Sequence, residues 1–218
     1  MLGMPWWKHS WVIASAVVAS VMVLVLVLGF TSVRILQQQS TSVWTERFVR
    51  VVPLPAAFVD GRAVMYRDLL PRWRAIDTYL EGSPEPTDPN LIPRARQALR
   101  QEVYEGLIRE KVLAREAARQ QFVFAESAVE ANMERLLTAP DGTTSTREQV
   151  AAAIELQTGW TWEQYRDWLV RPAVFEQGFQ QFVMTAASST QAEWDQRVSA
   201  WISAERVRRF LRFSEESG

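Results

Sequence analysis

The sequence contains no cysteine and one histidine, His9. Without thiols there is no disulfide framework, no thiolate nucleophile and none of the commonest ligand of structural zinc. With the one imidazole at residue 9, the rest of the chain has none to act as a general base, to activate a serine or to hold a metal. Charge of one sign is not in excess either. The 24 Lys and Arg against 25 Asp and Glu leave no broad cationic surface of the kind that binds nucleic acid, which excludes nucleic acid as a partner. No catalytic residue, metal or cofactor is expected.

What the chain has in quantity is apolar surface. Residues 11–30 run without a charge, broken only by Ser15, Ser20 and Gly29. At 1.5 Å per residue a helix of that length spans a hydrocarbon core of about 30 Å, and being apolar all round it has no face for water. Trp6, Trp7 and Trp11 lie where indole rings favour the headgroups, and Lys8 places positive charge on the short side. The expectation is a single-pass protein of the cell membrane, with residues 1–10 cytoplasmic and the rest extracytoplasmic. Arg34 weakens the asymmetry. A cleaved signal peptide is the competing reading. Against it, the run exceeds the usual apolar region, and Gly29-Phe30-Thr31-Ser32 is a poor cleavage site.

Residues 31–50, with three consecutive Gln and several Ser and Thr, read as a polar juxtamembrane spacer or as an outward continuation of the helix. Residues 51–218 then form one domain, a length typical of a single core. Asp60-Gly61 between two short apolar runs signals a hairpin, its first strand held to an edge by Pro53 and Pro55. From Tyr66 the period turns helical, through Leu69, Trp73, Ile76 and Leu80. Pro71 must kink that helix or sit in its first turn. Residues 81–93 carry four prolines and read as a loop. A long helix follows from Pro93 to about Gln121, its apolar stripe formed by Leu99, Val103, Leu107, Ile108, Val112, Leu113 and Ala117, with Glu105 and Arg109 paired on the wet side. A further helix holds Val129, Met133 and Leu136 and ends in residues 139–144.

Three later helix starts carry capping boxes: Ser145 with Glu148, Thr161 with Gln164, and Thr190 with Glu193. Trp160 and Tyr165 form a hydrophobic staple at the second and are assigned to the core. Gly159 stops the helix before it, and Pro172 should bend the helix running from Trp162 to about Met184. After Trp194, Val198 and Trp201, the tail 207–213 alternates and reads as a short strand pairing with the hairpin. The fold class is therefore mainly α, with a small β element.

Three segments resemble, in order and spacing, the N-terminal chaperone domain of SurA-type proteins. They are Phe58-Val59-Asp60-Gly61, then Leu107-Ile108-Arg109-Glu110-Lys111-Val112-Leu113-Ala114-Arg115-Glu116-Ala117, and Gly159-Trp160-Thr161-Trp162-Glu163-Gln164-Tyr165-Arg166. The resemblance covers about residues 57–183. It implies a chaperone body that binds unfolded or newly exported polypeptides. Family members commonly carry next a parvulin isomerase module of about a hundred residues, a small-domain size. Here residues 184–189 alone precede the last helix, whose sequence is similar to the segment that closes the family's chaperone domain. Prolyl isomerase activity is therefore not expected. Ala125 departs from the family at a position where a Ser or Thr cap is usual.

A holdase of this kind needs exposed apolar surface rather than chemistry. Trp73, Tyr79, Trp162 and Trp168 are the candidate client-binding residues, because large rings supply contact area at low entropic cost. The bland reading is that each fills the core. Glu126, Glu130 and Glu134 recur at helical spacing and read as a solvated face, and Arg206, Arg208, Arg209 and Arg212 as surface charge. The expected partners are unfolded or nascent polypeptides and the lipid bilayer, with a separate isomerase or the secretion machinery as further partners. The reading from a different class is an assembly subunit docking one dedicated protein at the membrane.

Overall fold

The computed structural model describes residues 7–82, 91–138, 142–184, 190–211 and 213, with side chains described from residue 20 onward. Most of the expected loop 81–93, part of the turn 139–144, Trp6 and Arg212 lie outside the described residues. Helix α1 (Trp7–Gln38) has 32 residues and a length of about 48 Å. Among the described residues it is the one helix long and apolar enough to cross a membrane. Val21 through Val27 are each more than half exposed, so none of the described residues covers this stretch.

The helix does not end at the apolar boundary. Ile35 is buried in the first core and Leu36 packs against it. Gln39, in the left-handed region at φ 48°, ends the helix. Ser42 then caps α2 (Val43–Val51), its hydroxyl accepting from the Thr45 amide at 3.2 Å. The spacer expected over residues 31–50 is thus folded onto the domain. Its Ser/Thr run is polar because it caps and cross-links. Thr41 donates to Asp77 at 3.0 Å, Tyr66 donates to the Ser40 carbonyl at 3.0 Å, and Arg74 donates to the Thr41 carbonyl at 3.1 Å.

Strands β1 (Pro55–Val59) and β2 (Arg62–Met65) form the expected hairpin. Asp60 and Gly61 both take positive φ, 45° and 81°, as a two-residue turn matched to strand twist requires. Strand β3 (Val207–Arg209) pairs with β1 through Ala57↔Arg209 and Val59↔Val207, giving the order β2-β1-β3. The tail does close the domain. The hairpin's first strand is central rather than at an edge: Pro55 occupies its first position, and a bulge between Pro55 and Ala57 absorbs the missing donor.

Helix α3 (Tyr66–Glu81) contains Pro71, and the long α4 (Leu91–Arg119) crosses it. With the sheet they enclose the first core around Tyr66, Leu69, Trp73, Tyr104, Ile108 and Leu211. The second half of α4 packs with α8 (Arg171–Val183) and α9 (Gln191–Ala204) around Leu113, Phe179, Trp194 and Val198. A third core, Val129, Met133 and Val174, lies under α5 (Glu126–Arg135). That helix starts without a side-chain cap at Ala125.

Helix α6 (Arg147–Thr158) is capped by Thr146 with Gln149, one residue later than the Ser145 box expected from sequence. Ser145 still belongs to the preceding loop, its amide bonded to the Leu137 carbonyl at 2.7 Å beside the Thr138–Thr144 bridge. Gly159 ends α6 at φ 70°. The boxes of Thr161 and Thr190 stand where expected. Glu105 and Arg109 do not pair with each other. Glu105 takes Arg209 at 2.9 Å, and Arg109 takes Glu176 at 3.0 Å and Asp195 at 3.2 Å, so both tie α4 to distant elements.

Candidate functional site

The helix expected over residues 162–184 is interrupted. After α7 (Trp162–Tyr165) the residues Arg166–Val170 form a π turn, closed by the Arg171 amide bonding back five residues to the Arg166 carbonyl. Pro172 is the physical cause. It has no N–H for the carbonyl four residues earlier, and its ring crowds that carbonyl, so the helix widens by one residue before resuming as α8. The bend anticipated at Pro172 therefore takes the form of a π turn just before it.

The turn sets side chains on two surfaces. On one side Leu169 and Val170, with Tyr165, Ala173 and Val174, face Asn132 of α5 and Leu136 just past its end across a groove of 220 Å³. Leu169 is 48% exposed and Leu136 40%. Gln177 and Asn132 bring amide groups to the same groove, so an apolar floor stands beside donors and acceptors suited to a peptide backbone. Its volume falls below the range of about 300–1,000 Å³ usual for small-molecule pockets. On the other side lies a cleft of 450 Å³ between α4 and α8, lined by Glu110, Lys111, Phe124, Asp167, Arg171 and Phe175 among others. Much of its charge is already paired, Arg171 with Glu126 at 2.5 Å and Arg109 with Glu176. Burial raises the Glu110 pKa, against the lowering effect of Arg72.

Beside this cleft Phe122 meets Phe175, Phe179 and Phe182 at ring separations of 5.8, 5.4 and 5.3 Å. Phe182 and Val123 are exposed. Among the described residues no group of three His, Cys, Asp or Glu side chains is placed to hold a metal.

The four sequence candidates do not form one site. Trp73 is fully buried; its indole donates to the Arg100 carbonyl at 3.0 Å and lies edge-on to Tyr66 at 5.5 Å. Its place in a client surface is therefore withdrawn: the helical spacing that displayed it marks the core face of α3. Tyr79 is 61% exposed near the end of α3. Trp162 is half-buried against the third core with Arg147 over its ring at 5.2 Å, and half-buried Trp168 meets Trp160 at 5.6 Å. Trp160 and Tyr165 make the expected staple contact at 6.5 Å but are only half-buried, and Tyr165 both packs against the third core and lines the groove. Leu136 was visible only as helix core. Leu169 and Val170 carry no sequence signal, because they lie inside the π turn, where a regular helical wheel no longer holds.

A family model described as the SurA-like N-terminal domain matches residues 7–167, from α1 into the π turn. The chain belongs to that family. No curated protein and no solved structure matches it. The SurA-like domain is a chaperone-type domain rather than a catalytic one, and at the general level it implies polypeptide clients. The elements α8, α9 and β3 lie past the matched stretch. They nonetheless complete this SurA-like body, since Phe179, Trp194 and Leu211 are each buried in its cores.

Proposed function

We propose that this SurA-like protein is a membrane-anchored extracytoplasmic holdase. It binds unfolded or newly exported polypeptides without prolyl isomerase activity. The observation that carries the reading is the open apolar groove at the π turn, where Leu136 and Leu169 keep about half their surface exposed. A side chain left half-exposed on two facing elements is available to a client, and a groove too small for a ligand still accepts successive apolar side chains. Helix α1, long and apolar enough to cross a membrane, supplies the anchor, and Lys8 ahead of its apolar run favours a cytoplasmic N-terminus.

The test uses the full chain in lipid nanodiscs, with suppression of aggregation of an unfolded protein as the readout. Each groove leucine has roughly half a side chain to bury, about 1 kcal/mol. Replacing both Leu136 and Leu169 with Ser should weaken capture by roughly thirty-fold, since 1.4 kcal/mol is a factor of ten. The helical signal should be retained, and prolyl isomerisation of a test peptide should stay at the uncatalysed rate. Capture by the double variant equal to wild type would reject the groove. A folded wild-type chain that captures nothing would favour an assembly subunit with one dedicated partner.

A further inference from the structure

Helix α2 carries a second apolar face that the domain core does not use. Thr45 and Val49 point inward and are buried. On the opposite side Val43, Arg47 and Val51 follow at intervals of four, flanked by Trp44, while half-buried Phe48 packs against the first core. Trp44 is 76% exposed and Val51 83%. An exposed indole among exposed valines has no role in the packing described above. Its place in the fold supplies one. Only residues 39–42 separate α2 from α1, and Trp44 and Phe48 look across a 280 Å³ cleft at Thr31, Arg34 and Ile35 of that helix.

On the reading that α1 spans the membrane with its apolar run ending near Phe30, these α1 residues lie at headgroup depth. Thr31 to Gln38 rise over about 10 Å, and the headgroup layer is about 5–8 Å thick on each side. Arg34 and Arg47 are exposed with no acidic partner among the described residues, as suits contact with lipid phosphates. We infer that α2 is an interfacial anchor. Its Val43, Trp44 and Val51 face inserts into the headgroup layer of the bilayer that α1 crosses, and holds the domain against the surface in one orientation.

This inference rests on α1 as a membrane span, and the test separates the two. The chain has no cysteine, so single labels are unambiguous. Val43→Cys, Val51→Cys, Val25→Cys in α1 and Leu156→Cys on exposed α6 are each labelled with an environment-sensitive fluorophore. The full chain is reconstituted in vesicles of phosphatidylcholine and phosphatidylglycerol carrying a spin label either shallow or deep in the acyl chain. The shallow quencher should act about two-fold more strongly than the deep one at positions 43 and 51, as expected for insertion of about 5–10 Å. The label at 25 should be quenched by the deep probe and the one at 156 by neither. Quenching at 25 with labels 43 and 51 in water overturns the anchor while leaving the span intact. No quenching at 25 removes the span and the anchor together. Quenching at 156 equal to that at 51 overturns a specific face in favour of general adsorption. Circular dichroism of each labelled chain checks that all four keep the wild-type fold.

Discussion

Replacing Trp73 with Ser should damage the fold and not merely the surface. The ring is fully buried, edge-on to Tyr66 and to Phe213 at 6.4 Å, with Arg100 above it at 5.5 Å and its indole bonded to the Arg100 carbonyl. Truncating a buried Trp costs about 3–5 kcal/mol, and a buried serine hydroxyl without a partner brings the change to the upper end, about 5 kcal/mol. A domain holds only about 5–15 kcal/mol in total. With about 2–4 °C lost per kcal/mol in a domain of this size, Tm should fall by about 10–20 °C. Trp168→Ser, at a half-buried ring edge-on to Trp160, should cost at most about 2 kcal/mol and a few degrees. Thermal melts of the full chain in detergent, followed by far-UV circular dichroism, compare the two, with α1 contributing a constant helical baseline. If Trp73→Ser melts within a few degrees of wild type, or loses client capture at unchanged stability, the core assignment of α3 is wrong.

Three further outcomes follow from the fold. Gly159→Ala should cost about 1 kcal/mol in the same melts, because φ 70° disfavours any side chain although the nearest atom is a Thr78 oxygen at 3.9 Å. Removing residues 206–218 takes away β3, buried Leu211 and the Phe213 ring that meets Tyr104 at 5.7 Å; limited proteolysis should then cut within β1 and β2, at a stability loss above about 4 kcal/mol. The Glu46 carboxylate, held below its ordinary value of 4.5 chiefly by its hydrogen bond to Arg74 and then by that to Arg50, stabilises the docking of α2 above that pH. This contribution, under about 1 kcal/mol for a partly exposed pair, should be lost as pH falls through the lowered folded value. In Glu46→Gln that part of the pH dependence should be missing from melts taken between pH 6 and pH 3, on the order of one Asp/Glu titration.

Where local chemistry and periodicity agreed, the sequence was a reliable guide to this fold. The Asp60-Gly61 turn, the boxes at Thr161 and Thr190, the Gly159 stop and the pairing of the tail with the hairpin all depend on a few neighbouring residues whose geometry admits few alternatives. The misplacements share a different cause. Residues 31–50 read as a spacer because Ser40, Thr41 and Ser42 are polar, and their polarity is spent on tertiary hydrogen bonds to α3. Glu105 and Arg109 had an adequate local partner in each other, but β3, α8 and α9 bring better ones. The groove was hidden for a third reason: the π turn before Pro172 shifts the helical wheel, so Leu169 and Val170 carry no pattern that a straight helix would reveal. Trp73 was the reverse case, an aromatic whose composition suggested a surface and whose helix face placed it in the core.

If the chain is an anchored holdase, the groove at the π turn receives many unrelated unfolded chains on the non-cytoplasmic side of the membrane. A photo-crosslinking amino acid at position 169, in the full chain expressed in cells, measures this directly. Irradiation followed by mass spectrometry of the crosslinked products should yield a broad set of exported polypeptides, and the same probe at position 73 should yield none. A single discrete partner at position 169, or a set composed of cytoplasmic proteins, would contradict the account.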